Sequence, residues 1–196
     1  MVAALAPGLA DAVLDSQRIF RGVLSAMAAP GTPVTLEAAL PPLPGVHPAA
    51  LGFLLALADL ETPVWLSPGV ASPDLASYLR FHCGAPVVVE TSAAAFALVA
   101  GAGDLPPLDR FAIGAEEYPE SATSILIQLD ALEGGLARRV KGPGLAQPAS
   151  VAPLGLDKAF WSQFQGNRAL YPRGVDVFLA AGNRLMALPR SLIVED

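Results

Sequence analysis

Two histidines, one cysteine and two lysines are the scarcest reactive side chains among the 196 residues, and their positions decide which chemistries the chain can host. His82 and Cys83 are neighbours, the pairing from which a thiolate and an imidazolium can arise. Consecutive helical residues point about 100° apart, however, so these side chains do not naturally bond each other. Cys83 falls on the apolar side with Leu79 and reads as a buried, inert thiol. His82 follows Arg80 and Phe81 near a helix C-terminus, where the helix dipole stabilises an imidazolium, and a structural or interface role stands ahead of catalysis there. His47 lies 35 positions away from His82, with no carboxylate at ligand spacing around either. A lone cysteine excludes an intrachain disulfide and a multi-cysteine zinc site, so no metal is expected.

Glu116, Glu117 and Glu120 gather three carboxylates within five residues, ahead of an apolar strand. They could hold Mg²⁺ or transfer protons, or form a solvated acidic turn in which Glu120 bonds nearby N–H groups. Arg138, Arg139 and Lys141 make the one basic cluster. On a strand, Arg139 and Lys141 share a face opposite Arg138, a pattern that suits a bound phosphate and equally a solubilising edge strand. Lys141-Gly142-Pro143-Gly144 has the glycines of a phosphate cradle, but Pro143 removes one of the donors such a loop needs, so it reads as a turn. No nucleophile-base set, dinucleotide fingerprint or metal motif emerges.

These groups need elements to hold them. Val13, Phe20, Leu24 and Met27 recur at helical spacing, with Arg18, Arg21 and Ser25 on another face, and Pro30-Gly31 stops the helix. A short extended piece at 34–36 precedes the proline-rich loop Pro41-Pro42-Leu43-Pro44. Residues 48–59 are apolar around the whole circumference and predict a buried helix, followed by a buried strand at 63–66. Ser72-Pro73 caps a helix that ends at Gly84. Residues 87–90 and 96–100 read as strands, 104–111 as a short helix, and 123–129 as a strand that Gly134-Gly135 turns back into 136–141 as a hairpin. A helix at 156–169 and a hairpin about Gly182-Asn183 complete the chain. Helices interleave with strands early and hairpins dominate late, so the expected fold is α/β, one domain over 1–196 with a mixed sheet flanked by helices.

Composition narrows the function. Twelve Lys+Arg against eighteen Asp+Glu give a net charge of −6, which argues against nucleic acid and anionic membranes as partners. Residues are 53% hydrophobic and 15% charged, with a mean hydropathy of +0.49, yet the longest apolar stretch, 49–58, is far below the ~20 residues a membrane helix needs. The N-terminus lacks a basic region and Pro7-Gly8 interrupts its apolar run, so a secretory signal is not expected and the cytoplasm is.

Several segments form an ordered pattern: Phe20-Arg21-Gly22-Val23-Leu24 to Pro30-Gly31, Leu57-Ala58-Asp59 with Glu61-Thr62-Pro63-Val64-Trp65-Leu66, and Leu79-Arg80-Phe81-His82 with Ala85-Pro86. Further on come Gly114 with Pro119-Glu120, Leu126-Ile127-Gln128, Gly134-Gly135, Gly142-Pro143-Gly144, Gly174-Val175-Asp176 and Ala187-Leu188-Pro189-Arg190. In this order they resemble the PhnH family, a subunit of the bacterial carbon-phosphorus lyase complex. The resemblance implies a homodimer that works with the PhnG, PhnI, PhnJ and PhnL subunits, needed for coupling methylphosphonate to ATP with release of adenine. It implies a fold similar to the large domain of pyridoxal-phosphate-dependent transferases, without that cofactor site. Lys141 in a turn and Lys158 at a helix start are not obvious Schiff-base residues. The family supplies no catalytic set, so Arg21, Arg80, His82, Glu117, Glu120 and Arg173 stand as candidate ligand or interface residues. The competing expectation is a stand-alone transferase or hydrolase, with His82, Glu120 and an arginine around one cleft.

Overall fold

Strands whose side chains are apolar on both faces must be covered on both, and that requirement organises the molecule. The computed structural model describes residues 6–37, 40 and 42–195; Pro41 and the first five residues of the N-terminal reading lie outside the described residues. Among the described residues, β1 (Val34–Thr35), β2 (Val64–Leu66), β3 (Val87–Val88), β4 (Phe96–Val99), β5 (Ser124–Gln128), β8 (Asp176–Ala181) and β9 (Arg184–Leu188) form a seven-stranded sheet in the order β1-β9-β8-β5-β4-β2-β3. The run from β3 to β8 is parallel, β9 is antiparallel to β8, and β1, antiparallel to β9, returns to the common direction. A second sheet, β10-β6-β7, is antiparallel and contains β6 (Arg138–Lys141), β7 (Ala149–Val151) and β10 (Ile193–Glu195).

The two cores follow the period of two along each strand. Val64, Leu66, Leu98, Leu126, Phe178 and Leu185 face one core, closed by α1 (Ala12–Ala28), α2 (Pro48–Leu57) and α3 (Pro73–Cys83). Their alternates Trp65, Val99, Ile125, Ile127, Leu179 and Met186 face the other, closed by α4 (Lys158–Arg168) and the three-stranded sheet. Caps define the helices: the Asp11 carboxylate accepts the N–H groups of Val13 and Leu14, Ser72 accepts that of Leu75, and Asp157 that of Phe160. In α4 the buried Asn167 accepts the Val175 N–H at 2.8 Å and donates to the Val175 carbonyl at 2.9 Å, tying the helix to the entry of β8. Gly174, at φ 110°, fits beneath it, since a Cβ there would stand 2.7 Å from Asn167 Oδ1. No helix among the described residues is long and apolar enough to cross a membrane.

Three expectations need correction. The apolar row Val13, Phe20, Leu24 on α1 is exposed, and Ile19, Val23 and Ala26 face the core instead. The helix packs against α2, β1 and β9, and Gly22 sits so close to Leu36 that any Cβ there would collide with it. Close packing selects the side carrying Gly22 and Ala26 and leaves the bulkier row outside. The 134–135 turn does not fold β6 back onto β5, because both neighbours of β5 are already occupied by β4 and β8; β6 pairs with β7 and β10. Residues 104–111 contain single 3₁₀ turns at Ala102–Asp104 and Leu108–Arg110, separated by Pro106-Pro107, which lack the N–H donors a continuous helix needs.

Glu195 joins β10 to β6, accepting from Arg139 Nε at 2.9 Å and Lys141 Nζ at 2.6 Å. The Lys141 hydrogen bond, reinforced by the two cationic charges, holds its carboxyl below the usual glutamate range. A folded pKa below the unfolded one contributes stability that is present above the unfolded value, about 4.3, and is lost as pH falls through the folded value. Urea titrations at stepped acid pH should therefore show a smaller loss of stability below about pH 4.3 for Glu195→Gln than for the parent chain.

Candidate functional site

In parallel strands all carboxyl ends meet at one edge, and a crevice opens where successive connections leave for opposite faces. Here the chain leaves β2 towards α3, in the first core, and leaves β4 towards Leu108 and Phe111, in the second. At that divergence the buried Ser67 follows β2. Its Oγ accepts the Ala100 N–H at 2.9 Å and donates to Asp104 Oδ2 at 3.2 Å, while the Gly69 N–H donates to the same oxygen at 2.7 Å. A Cβ on Gly69 would collide with that carboxylate, so the close approach requires glycine.

One strand further, Gln128 closes β5 and is itself buried. Its Oε1 accepts the His47 N–H at 2.6 Å, and its Nε2 donates to the Gly45 carbonyl at 2.9 Å, so one amide fixes the entry to α2. His47 Nδ1 lies 3.1 Å from the Ala180 carbonyl and accepts the Gly182 N–H at 3.2 Å. The main chain thus occupies Nδ1, and Nε2 has no partner among the described residues. His47, Gln128 and Asp130, with residues 100–103 and Gly155, line a cleft of about 290 Å³.

The opposite, amino edge is bolted by Arg190. Its Nε donates to both Asp176 oxygens at 3.1 Å, its Nη2 to Oδ2 at 2.6 Å, and its own N–H to Oδ1 at 2.8 Å. Nη1 donates to the Pro119 carbonyl at 2.6 Å. Both partners are largely shielded, with side chains 13% and 14% exposed. The loop at Pro119 is thereby tied to the two ends of the β8–β9 hairpin.

The candidates read from the sequence are dispersed. Arg21 on α1 and Arg80 in the last turn of α3 are exposed, and neither forms an ion pair among the described residues. Glu116, Glu117 and Glu120 are exposed around the Pro119–Ser121 turn, and the described residues include no group of three His, Cys, Asp or Glu placed to hold a metal. Arg173 is half-buried in the turn after α4, where its N–H donates to the Leu170 carbonyl. Lys141 is committed to Glu195, and residues 142–145 make a turn closed by the Leu145 N–H on the Gly142 carbonyl.

His82 does not meet Glu120. Its Nε2 lies 2.9 Å from the Ala6 carbonyl, and the Tyr78 hydroxyl donates to the Pro7 carbonyl at 2.9 Å, so the two rings strap the N-terminal segment over α3. The space beneath, about 410 Å³, is lined by Gly8, Leu9, Ser16, Leu55, His82 and Cys83, without Glu120 or an arginine. Cys83 is half-buried and donates to the Leu79 carbonyl rather than to His82, and burial pushes its thiol pKa up. His47, Ser67, Asp104, Gln128 and Asp130 were not singled out from the sequence as a site. The available signal was a polar residue closing each of two buried strands, Ser67 after β2 and Gln128 at the end of β5.

Residues 7–195 match the family model described as bacterial phosphonate metabolism protein (PhnH). The chain is 36% identical over 187 residues, 95% of its length and 93% of the relative's, to alpha-D-ribose 1-methylphosphonate 5-triphosphate synthase subunit PhnH of Rhizobium meliloti (strain 1021). It is also 29% identical over 79 residues, 40% of each chain, to a Stutzerimonas stutzeri protein provisionally named as the C-P lyase subunit protein HtxG.

Removing the guanidinium of Arg190 leaves the Pro119 carbonyl without its side-chain donor and the Asp176 carboxylate with only the residue-190 N–H. Arg190→Ala should lower stability by about 3 kcal/mol in urea unfolding, a loss that Arg190→Lys restores only in part because lysine cannot supply the forked contact. The raised thiol pKa of Cys83 predicts slow alkylation by iodoacetamide near neutral pH, accelerating only above the free-thiol value of about 8.5.

Proposed function

The chain belongs to the PhnH family of bacterial phosphonate metabolism proteins, and from that premise we propose that it is an accessory subunit of the enzyme forming ribose 1-methylphosphonate 5-triphosphate in organophosphonate breakdown. The observation that carries this is the near full-length match to a subunit of that synthase, 95% of one chain on 93% of the other. In this role the chain supports the coupling of methylphosphonate to ATP with release of adenine, while the bond-making groups reside in partner subunits of the PhnG, PhnI, PhnJ and PhnL types. It acts in the cytoplasm as a single-domain protein and a homodimer. Its fold is that of the large domain of pyridoxal-phosphate-dependent transferases without the cofactor site; the mostly parallel sheet flanked by helices supports the fold part of that reading.

The surface supports assembly. Val13, Leu14, Phe20 and Leu24 leave apolar side chains on the outer side of α1, beside Arg21. Phe81, next to Arg80, is 70% exposed and Val89, just beyond the edge strand β3, is 87% exposed. Rows of large apolar groups flanked by arginine suit a buried interface better than water. A stand-alone transferase or hydrolase using His82, Glu120 and an arginine in one cleft has no support in the arrangement of those residues.

Phe20→Asp/Leu24→Asp should lower recovery of the partner subunits in a tagged pull-down by at least about tenfold. The melting temperature should stay near that of the parent chain, because both residues are already exposed. Unchanged recovery would remove α1 from the interface.

A further inference from the structure

The carboxyl-edge cleft offers hydrogen-bond acceptors and an imidazole but no cation: neither lysine nor any arginine is among its lining residues. The exposed Asp130 carboxylate has no hydrogen-bond or ion-pair partner among the described residues, and the half-buried His47 has an Nε2 that the main chain does not use. A phosphate placed here would face Asp130 with no positive charge to offset the repulsion. A divalent cation would find one carboxylate in the lining, and no group of three His, Cys, Asp or Glu among the described residues could hold it. A hydroxylated ring suits the same groups, because two adjacent hydroxyls can donate to the two oxygens of one carboxylate, as acidic side chains at the edges of open α/β sheets do with ribose. The cleft, about 290 Å³, sits at the lower limit of ligand pockets, roughly 300 Å³, which suits a sugar rather than a whole nucleotide. Residues 100–103, two alanines and two glycines, line one wall with small groups only, so a compact ring can lie close to the backbone.

We propose that this cleft binds the vicinal diol of a furanose, with Asp130 accepting from both hydroxyls and His47 Nε2 making a third polar contact. That the furanose is a ribose rests on the subunit reading above; the preference for a diol over an anion rests on the cleft alone.

The test is titration of the full-length purified chain, followed by NMR, with adenosine, with its dideoxy analogue lacking both ribose hydroxyls, and with inorganic phosphate. Adenosine should bind at millimolar concentration and the dideoxy analogue at least about tenfold more weakly. Phosphate should neither bind nor compete. Asp130→Asn should weaken adenosine about tenfold. Gly103→Leu should abolish binding by filling the cleft; a Cβ at Gly103 meets nothing within 4 Å, so the variant should fold and still co-purify with partner subunits. Equal binding of the two nucleosides, competition by phosphate, binding that survives Gly103→Leu, or no adenosine binding at all would overturn the proposal. Diol-dependent binding by a chain that recovers no partner subunit would leave the site standing and remove the subunit reading; intact assembly without binding would do the reverse.

Discussion

Burial of the central sheet on both faces is the constraint from which the rest follows. From β2 to β9 almost every strand side chain lies in one of two cores, so no strand face is left for chemistry. At about 25 cal/mol for each Å² of apolar surface removed from water, such a sheet is the dominant stabilising feature of the fold. It also accounts for much of the high hydropathy, since both registers of every central strand must be apolar. Polar groups are thereby displaced to the strand ends.

The two ends use those groups differently. At the amino edge, Arg190 is saturated by Asp176 and Pro119, and its geometry ties the Pro119 loop to the two ends of the β8–β9 hairpin. At the carboxyl edge, Ser67 and Gln128 spend their hydrogen bonds on loop backbone or on Asp104, while Asp130 and one nitrogen of His47 remain available. The shielded, paired groups of the amino edge hold the fold, and the exposed Asp130 of the carboxyl edge is open to solvent and solutes. The exposed apolar row of α1 is a third feature, separate from both edges.

Much of this was legible in the residues. The all-round apolar pattern at 48–59, the Ser72 cap, the strand at 123–129 and the Gly182-Asn183 hairpin became α2, α3, β5 and the β8–β9 turn because local pattern and tertiary demand coincide there. The exposed side of α1 was misread because Val13, Phe20 and Leu24 look like a core stripe by periodicity; only the tight approach of Gly22 and Ala26 to the interior decides the matter, and that is a tertiary fact. The Gly134-Gly135 turn misled for a similar reason, since occupancy of both edges of β5 cannot be read from the turn itself. Segments singled out by family resemblance, around Pro119, Asp176 and Arg190, converge physically at the amino edge. The carboxyl-edge cleft was not legible, because His47, Gln128 and Asp130 come from separate loops and carry no shared spacing.

The central claim is that this chain serves a synthase whose reacting groups lie in other subunits. Its most direct test is release of adenine from ATP and methylphosphonate by the reconstituted partner subunits, measured with and without this chain. The account predicts that adenine appears only when chain and partners are combined. Turnover by the partners alone at the same rate, or by this chain alone, would contradict it.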